Sequence, residues 1–406
     1  MAPKYLIRLA ALAATLLAAG ACIYPYRVDI TSGGEYPLVI DGDLLIGSST
    51  TLSFSHVLPF DQSEKEETPV LAKGYIEGED GIRVDGRDPY YRAASDKLDF
   101  DTSALPENQR YRIHIETLNP EDGSSTVFES DWLTPAPAPA IDALTYSQNK
   151  EFNELWIGLS MHCHGSHYFR WSFTEEWEYH SDISTDLTYT PRVWDEQAGE
   201  LVGGYGRLSP TLYYCWNKYS SPQINIFSTA NQTEDRFEEL SFHTIPLDDK
   251  RLQVLYRITV RLQALSENAY NYWNNIQQNS EGQGSIFAPT PSEMASNVHC
   301  ISDPSIPVMG YLNAAVPAEA VMYYDNTLER FYQPHLPFER IDTTIRAGDY
   351  TVAESLFRQK FLPYAEVYNA PTPEPSDYTW TPDICIDCRR QGGTKNRPDS
   401  WPNNHQ

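Results

Sequence analysis

Between Leu252 and Leu265 the chain alternates with a period of two: Leu252, Val254, Tyr256, Ile258, Val260 and Leu262 fall on one side, with Arg257, Arg261 and Gln263 among the residues opposite. Successive side chains of an extended chain point to opposite faces, so this run reads as a half-buried antiparallel strand. Shorter β-type runs lie at Leu155 to Leu159, Tyr168 to Phe173, Leu187 to Val193, Thr211 to Trp216 and Ile224 to Phe227. Residues 36–133 repeat the theme in short segments. Leu38-Val39-Ile40 runs into Asp41-Gly42, Tyr111, Ile113 and Ile115 alternate with Arg112, His114 and Glu116, and Glu121-Asp122-Gly123 supplies a hairpin turn before Thr126 to Trp132. The expected fold is mostly β, with a compact N-terminal β-sandwich over 36–133 followed by a larger β-rich domain with a few short helices.

The boundary between the two is written in proline. Thr134-Pro-Ala-Pro-Ala-Pro139 favours stiff extended chain that cannot join a ladder centrally, so residues 134–142 are expected to be a linker and 143–368 the larger domain. Within that domain Ser266 can cap a helix running to about Gln278, with Ala269, Tyr272, Trp273 and Ile276 on one stripe. Thr351-x-x-Glu354 reads as a capping box opening a second helix. Pro, Asp and Asn dominate residues 369–406, which are expected to form an irregular tail held by cysteines.

The first 21 residues are an address. Lys4 and Arg8 precede a short apolar run from Leu9 to Ala19, and Ala19-Gly20-Ala21 places small residues before Cys22. A membrane-spanning helix needs about 20 apolar residues; this run is shorter and reads as a secretory signal with a lipobox-like site. Cys22 would then carry lipid, residues 22–35 would form a tether, and the alternative is simple secretion with Cys22 cut away. Export permits disulfides. Cys215, Cys300, Cys385 and Cys388 are the candidates, with three possible pairings among them, and Cys163 is expected to be the odd thiol.

A formal net charge of −26 excludes a chain whose main task is gripping nucleic-acid phosphates. From Cys22 to Asp142 there are 23 acids and 9 bases, a denser negative charge than in the rest of the chain, while Arg389, Arg390, Lys395 and Arg397 make the tail locally basic. Aromatic residues make up 13% of the chain. They cluster at Tyr90-Tyr91, Tyr168-Phe169-Arg170-Trp171, Trp177, Tyr179, Tyr213-Tyr214, Tyr270, Tyr272-Trp273 and Tyr323-Tyr324, and part of this set is expected to form a contact surface.

Little of the chain spells chemistry. His162, Cys163, His164 and His167 are metal-ligand types, and on a strand His162 and His164 would share a face; a polar hairpin turn is the plainer reading. Cys385-x-x-Cys388 lacks the context of a redox or zinc motif. There is no G-x-S-x-G elbow, H-E-x-x-H helix or phosphate loop. Acid pairs such as Glu175-Glu176 and Asp248-Asp249 point to opposite faces of a strand and are expected to be solvated charge. No catalytic residue and no cofactor are expected beyond the lipid on Cys22.

Several stretches together resemble one family: Cys22-Ile23-Tyr24-Pro25, Leu38-Val39-Ile40-Asp41-Gly42, Tyr168-Phe169-Arg170-Trp171 with Glu175-Glu176-Trp177-Glu178, Cys215-Trp216, Ala264-Leu265-Ser266, Gly284-Ser285-Ile286-Phe287, Asn297 with Cys300, Val308-Met309-Gly310-Tyr311, and Cys385 to Cys388 with Trp401. They are similar to the Bacteroidetes lipoprotein family catalogued as domain of unknown function 4249. The resemblance implies an outer-membrane lipoprotein with an immunoglobulin- or transthyretin-like sandwich ahead of a larger β-rich domain, encoded beside TonB-dependent transporters. The expected function is a non-enzymatic accessory subunit of such a transporter in nutrient capture. A structural subunit of an outer-membrane secretion or assembly complex and a metal-capturing lipoprotein are the alternatives.

Overall fold

A computed structural model describes residues 37–56, 70–88, 96–118, 123–209, 211–222, 224–281, 296–333, 340–369 and 373–402. The leader, Cys22, the 22–35 tether and the Glu121-Asp122 turn lie outside them. The fold is mostly β, with three α-helices among the described residues. The first eight strands are β1 Leu38–Asp41, β2 Leu44–Leu45, β3 Ser49–His56, β4 Leu71–Gly78, β5 Arg83–Asp85, β6 Lys97–Asp101, β7 Tyr111–Leu118 and β8 Ser125–Ser130. Then come β9 Ala140–Asn149, β10 Glu154–His162, β11 Tyr168–His180, β12 Leu187–Asp195, β13 Glu200–Arg207, β14 Tyr214–Ser220, β15 Asn225–Ser228, β16 Arg236–Pro246 and β17 Leu255–Ala264. Helix α1 Glu267–Glu281 follows, then β18 Val298–Cys300, β19 Val308–Met309, β20 Ala314–Ala315, β21 Ala318–Asp325 and α2 Asn326–Glu329. The chain closes with β22 Thr343–Arg346, α3 Tyr350–Arg358, β23 Phe361–Val367 and β24 Asp377–Pro382.

The N-terminal sandwich has sheets ordered β19-β1-β3-β6 and β18-β8-β7-β4-β5. Alternation along β7 sends Tyr111, Ile113 and Ile115 into a core shared with Ile40, Leu52, Phe54, Phe100 and Phe128. Two expectations change here. The segment 298–315, assigned by sequence to the larger domain, completes the sandwich: β18 pairs with β8, β19 with β1 and β20 with β2. Added strands cover edges that would otherwise leave open rows of N–H and C=O groups. Gly310, at φ +119°, lets the backbone close on Ile40, because a Cβ there would collide with the Ile40 carbonyl. The proline linker is likewise no free spacer. Ala136 keeps its N–H between two prolines and donates it to Ala314 O at 2.9 Å, and β9 already begins at Ala140.

In the larger domain the sheets β16-β10-β9 and β14-β11-β17-β21 pack face to face. Leu155, Ile157 and Ile245 meet Tyr256, Ile258, Val260, Met322 and Tyr324 between them. The alternating run is thus the central strand β17, flanked by β11 and β21, its first residue Leu252 lying in a short 3₁₀ turn instead. Beside them the ribbon β12-β13 packs its base against the sheet β22-β24-β23 and α3, around Leu187, Tyr189, Tyr205, Ala353, Tyr378 and Trp380. The tail is therefore not irregular throughout: β24 is the middle strand of a sheet, and Trp380 at its centre is fully buried. Helix α1 carries its Ser266 cap, whose Oγ accepts from Ala269 N at 3.2 Å. Helix α3 begins one residue before Thr351, and Asp349 caps it by accepting from Val352 N at 3.1 Å. A carboxylate at the first turn also opposes the helix dipole, which a threonine does not.

Candidate functional site

Period-two alternation along β11 puts Trp171, Phe173, Glu175 and Trp177 on one face. This is the floor of an open cleft of about 590 Å³, walled by Phe242 and His243 of β16, Tyr219 and Asn225 at the β14 and β15 edge, and the turn Asp249-Lys250-Arg251. The aromatic rings brace one another. Trp171 lies parallel to Phe173 with centroids 5.8 Å apart and meets Phe242 edge-on at 5.1 Å, while Phe173 leans on the His243 ring at 4.6 Å. Such contacts hold each ring in one orientation, so the walls are preformed. Trp177 is 8% exposed and its Nε1 has no hydrogen-bond partner. A buried N–H without an acceptor costs free energy comparable to a lost hydrogen bond, and this one is enclosed by protein atoms, so the cleft offers a ligand its ring faces and not this donor.

One carboxylate stands in this aromatic stripe, and it is fully spent. Glu175 accepts from Tyr256 Oη at 2.7 Å, Arg251 Nη1 at 2.8 Å and His243 Nε2 at 3.0 Å. Burial alone would raise its carboxyl, but the His243 hydrogen bond, the Arg251 charge and the Tyr256 hydroxyl together hold it below the usual value. Tyr256, buried against that carboxylate, is pushed well above an ordinary phenol. Arg251 gives Nη2 and Nε to Asp249 at 2.8 and 3.1 Å, so its guanidinium is shared by two acids. Burial would lower its pKa, and these partners outweigh it and raise it. Lys250 lies over the Tyr179 ring at 4.7 Å and donates to Gln391 O, with burial lowering its pKa. Two acids and two bases cancel, leaving the cleft largely aromatic and without net charge.

The opposite face of β11 does structural service. Glu176 takes Arg257 Nη1 and Ser400 Oγ, and Glu178 takes Trp401 Nε1 at 2.8 Å and His180 Nε2 at 2.9 Å. These contacts dock the C-terminal segment, and Tyr179 Oη adds a bond to Cys388 O at 2.8 Å. The expectation that Glu175-Glu176 is solvated charge is therefore corrected. The two do point to opposite faces, yet both are buried, because each meets an arginine that neutralises it. Asp248 is exposed, whereas Asp249 pairs with Arg251.

The cysteines sort differently from the sequence expectation. Cys215 of β14 is bonded to Cys388, with Cα atoms 5.8 Å apart. Cys300 and Cys385 are free and buried, as is Cys163. Cys300 sits on β18 in the sandwich core and Cys385 in a 3₁₀ turn of the C-terminal segment, so these two candidates belong to different packing units. Of the metal-ligand types, His162 and His164 lie together with ring centroids 4.1 Å apart, and the others do not join them. Cys163 turns inward beside Leu159, Met161 and Phe169. His162 stays on the other side, its Nε2 on Asp235 Oδ2 at 2.7 Å, and His164 Nδ1 contacts Ala138 O at 2.8 Å. His167 is exposed, and among the described residues no three His, Cys, Asp or Glu side chains are placed to hold a metal ion. What sequence reasoning missed are Phe242, His243, Lys250 and Arg251, which β16 and a 3₁₀ turn bring to β11 across long separations. The signal for the floor itself was present: a single acid in a period-two aromatic stripe.

No curated protein matches the chain. Among solved structures, a DUF4785 family protein from Legionella pneumophila aligns at 9% identity over 55% of this chain and 51% of that chain, with a TM-score of 0.19, a likeness that carries no argument. The family model described as Domain of unknown function (DUF4249) matches residues 23–320, and the chain belongs to that family.

Proposed function

We propose that this chain is a non-enzymatic outer-membrane lipoprotein, anchored through Cys22, that serves as accessory subunit of a TonB-dependent transporter and holds an uncharged, flat-faced ligand in the cleft along β11. The observation that carries the capture role is the cleft itself. Its acids and bases neutralise one another, and its walls are braced aromatic rings that present flat apolar faces. Glu175 and Arg251 are both engaged by fixed partners, which suits a cleft that holds a ligand in place. The transporter partner is supported by the lipobox-like Cys22 site and by the family resemblance. Crosslinking in intact cells and then solubilisation and purification of the lipoprotein tests it: a TonB-dependent transporter is expected in the purified complex. Recovery of the lipoprotein alone contradicts the reading, and recovery with a secretion or assembly complex replaces it.

A further inference from the structure

The ribbon β12-β13 is anchored at one end and bare at the other. Its base is buried through Leu187 and Tyr189. Between the pairs Thr190–Gly204 and Val193–Val202 the register slips, setting Pro191 and Arg192 against the single residue Gly203. A bulge of this kind bends a strand and re-aims the side chains beyond it. Gly203 permits it at φ +104°, where a Cβ would lie 2.7 Å from the Pro191 carbonyl oxygen. Past the bend the ribbon leaves the core, and Val193, Trp194 and Leu201 are 59%, 61% and 49% exposed. Register places Val193 opposite Val202 and Trp194 opposite Leu201, so each face of the ribbon carries an apolar pair. Three carboxylates crown the tip: Asp195 and Glu200 pair at the ribbon's last rung, Asp195 Oδ1 accepting from Gln197 N and Ala198 N, and Glu196 lies in the turn between them.

We propose that this ribbon tip is a docking finger for a protein partner, entering a crevice that has apolar walls for its two faces and basic groups where the three carboxylates arrive. An apolar hairpin tip also suits a bilayer, but tip-first entry would carry three carboxylates into hydrocarbon ahead of Trp194, a heavy cost that a basic protein crevice turns into attraction. Two-sided apolar character fits a crevice better than a flat surface, which would cover one face only. Identifying the partner with the transporter rests on the proposed function; the finger itself does not.

The full lipidated chain, in its own membranes, carries the test. One version holds photoreactive benzoylphenylalanine at position 194, and another is the Trp194→Glu/Leu201→Glu double variant; Leu328→Glu, at a residue 77% exposed on α2, is the control. Irradiation is expected to join position 194 to one membrane-embedded protein, identified by mass spectrometry. The double variant should recover that protein at least about tenfold less than wild type or control, with unchanged circular dichroism. Undiminished recovery by the double variant, or no protein adduct at position 194, overturns the proposal. So does irradiation that joins position 194 to phospholipid, which would make the bilayer the occupant. An adduct to a protein other than a TonB-dependent transporter keeps the finger and removes the transporter reading, whereas a transporter held equally well by the double variant does the reverse.

Discussion

At the scale of single residues, Glu175 organises the candidate site. Its folded carboxyl lies below the unfolded value of 4.5, so its contribution to stability is complete above that value and is lost as pH falls through the lower, folded one. The Glu175→Gln variant is therefore expected to flatten the acid limb of stability against pH in denaturant titrations. Glu175→Ala leaves Arg251 with Asp249 alone and strips Tyr256 and His243 of their acceptor, and should cost about 1.5–3 kcal/mol. Sequence alone revealed the alternation that aims Glu175 away from Glu176, but not its burial, because in so acidic a chain a carboxylate is by default solvated. Only the long-range arrival of Arg251 and His243 makes a buried acid tolerable at this position. Trp177→Phe keeps an aromatic ring and removes a buried N–H that has no partner, so it should leave stability nearly unchanged, readable by thermal melts.

Elements were legible where they are long. The strands β11 and β17 and the helix after Ser266 announce themselves by periodicity, whereas β18, β19 and β20 have two or three residues each and carry no period at all. Composition misled at β24, where Asp, Thr and Pro around Tyr378 and Trp380 suggest a loop; alternation of those two aromatics into one core decides otherwise. The cap of α3 gives an element-scale prediction: Asp349→Ala should cost about 1 kcal/mol, with Thr351→Ala nearly neutral, measured by urea midpoints. The Cys215–Cys388 bond ties β14 to the C-terminal segment across a separation of 173 residues. Replacing both with serine should cost about 2–5 kcal/mol and expose the segment to limited proteolysis, while Cys300→Ser leaves that segment protected.

For the whole molecule, the sheets of residues 38–130 are interlaced with later segments by pairings that no local pattern discloses. Asp43, from the sandwich, is buried against Arg170 of β11 at 3.0 Å and bonded to Gln263 of β17. Asn313, beside β20, reaches Ala264 O at 3.1 Å. Burial raises the Asp43 carboxyl despite the arginine. Asp43→Ala should accordingly loosen the joint, with faster hydrogen exchange at β2 and β20 as the readout. The basic tail that stands out in the sequence is consumed internally, Arg389 by Asp387, Arg390 by Asp383 and Lys395 by the Thr211 and Tyr214 carbonyls. The capture role stands or falls with the cleft along β11. Its most direct test is tryptophan fluorescence of the purified chain titrated with a panel of uncharged oligosaccharides and end-capped neutral peptides, beside charged counterparts. Saturable change with an uncharged member, lost in Trp171→Ala and weakened in Phe242→Ala, is the predicted result; saturation by charged ligands alone, or binding that survives both substitutions intact, contradicts it.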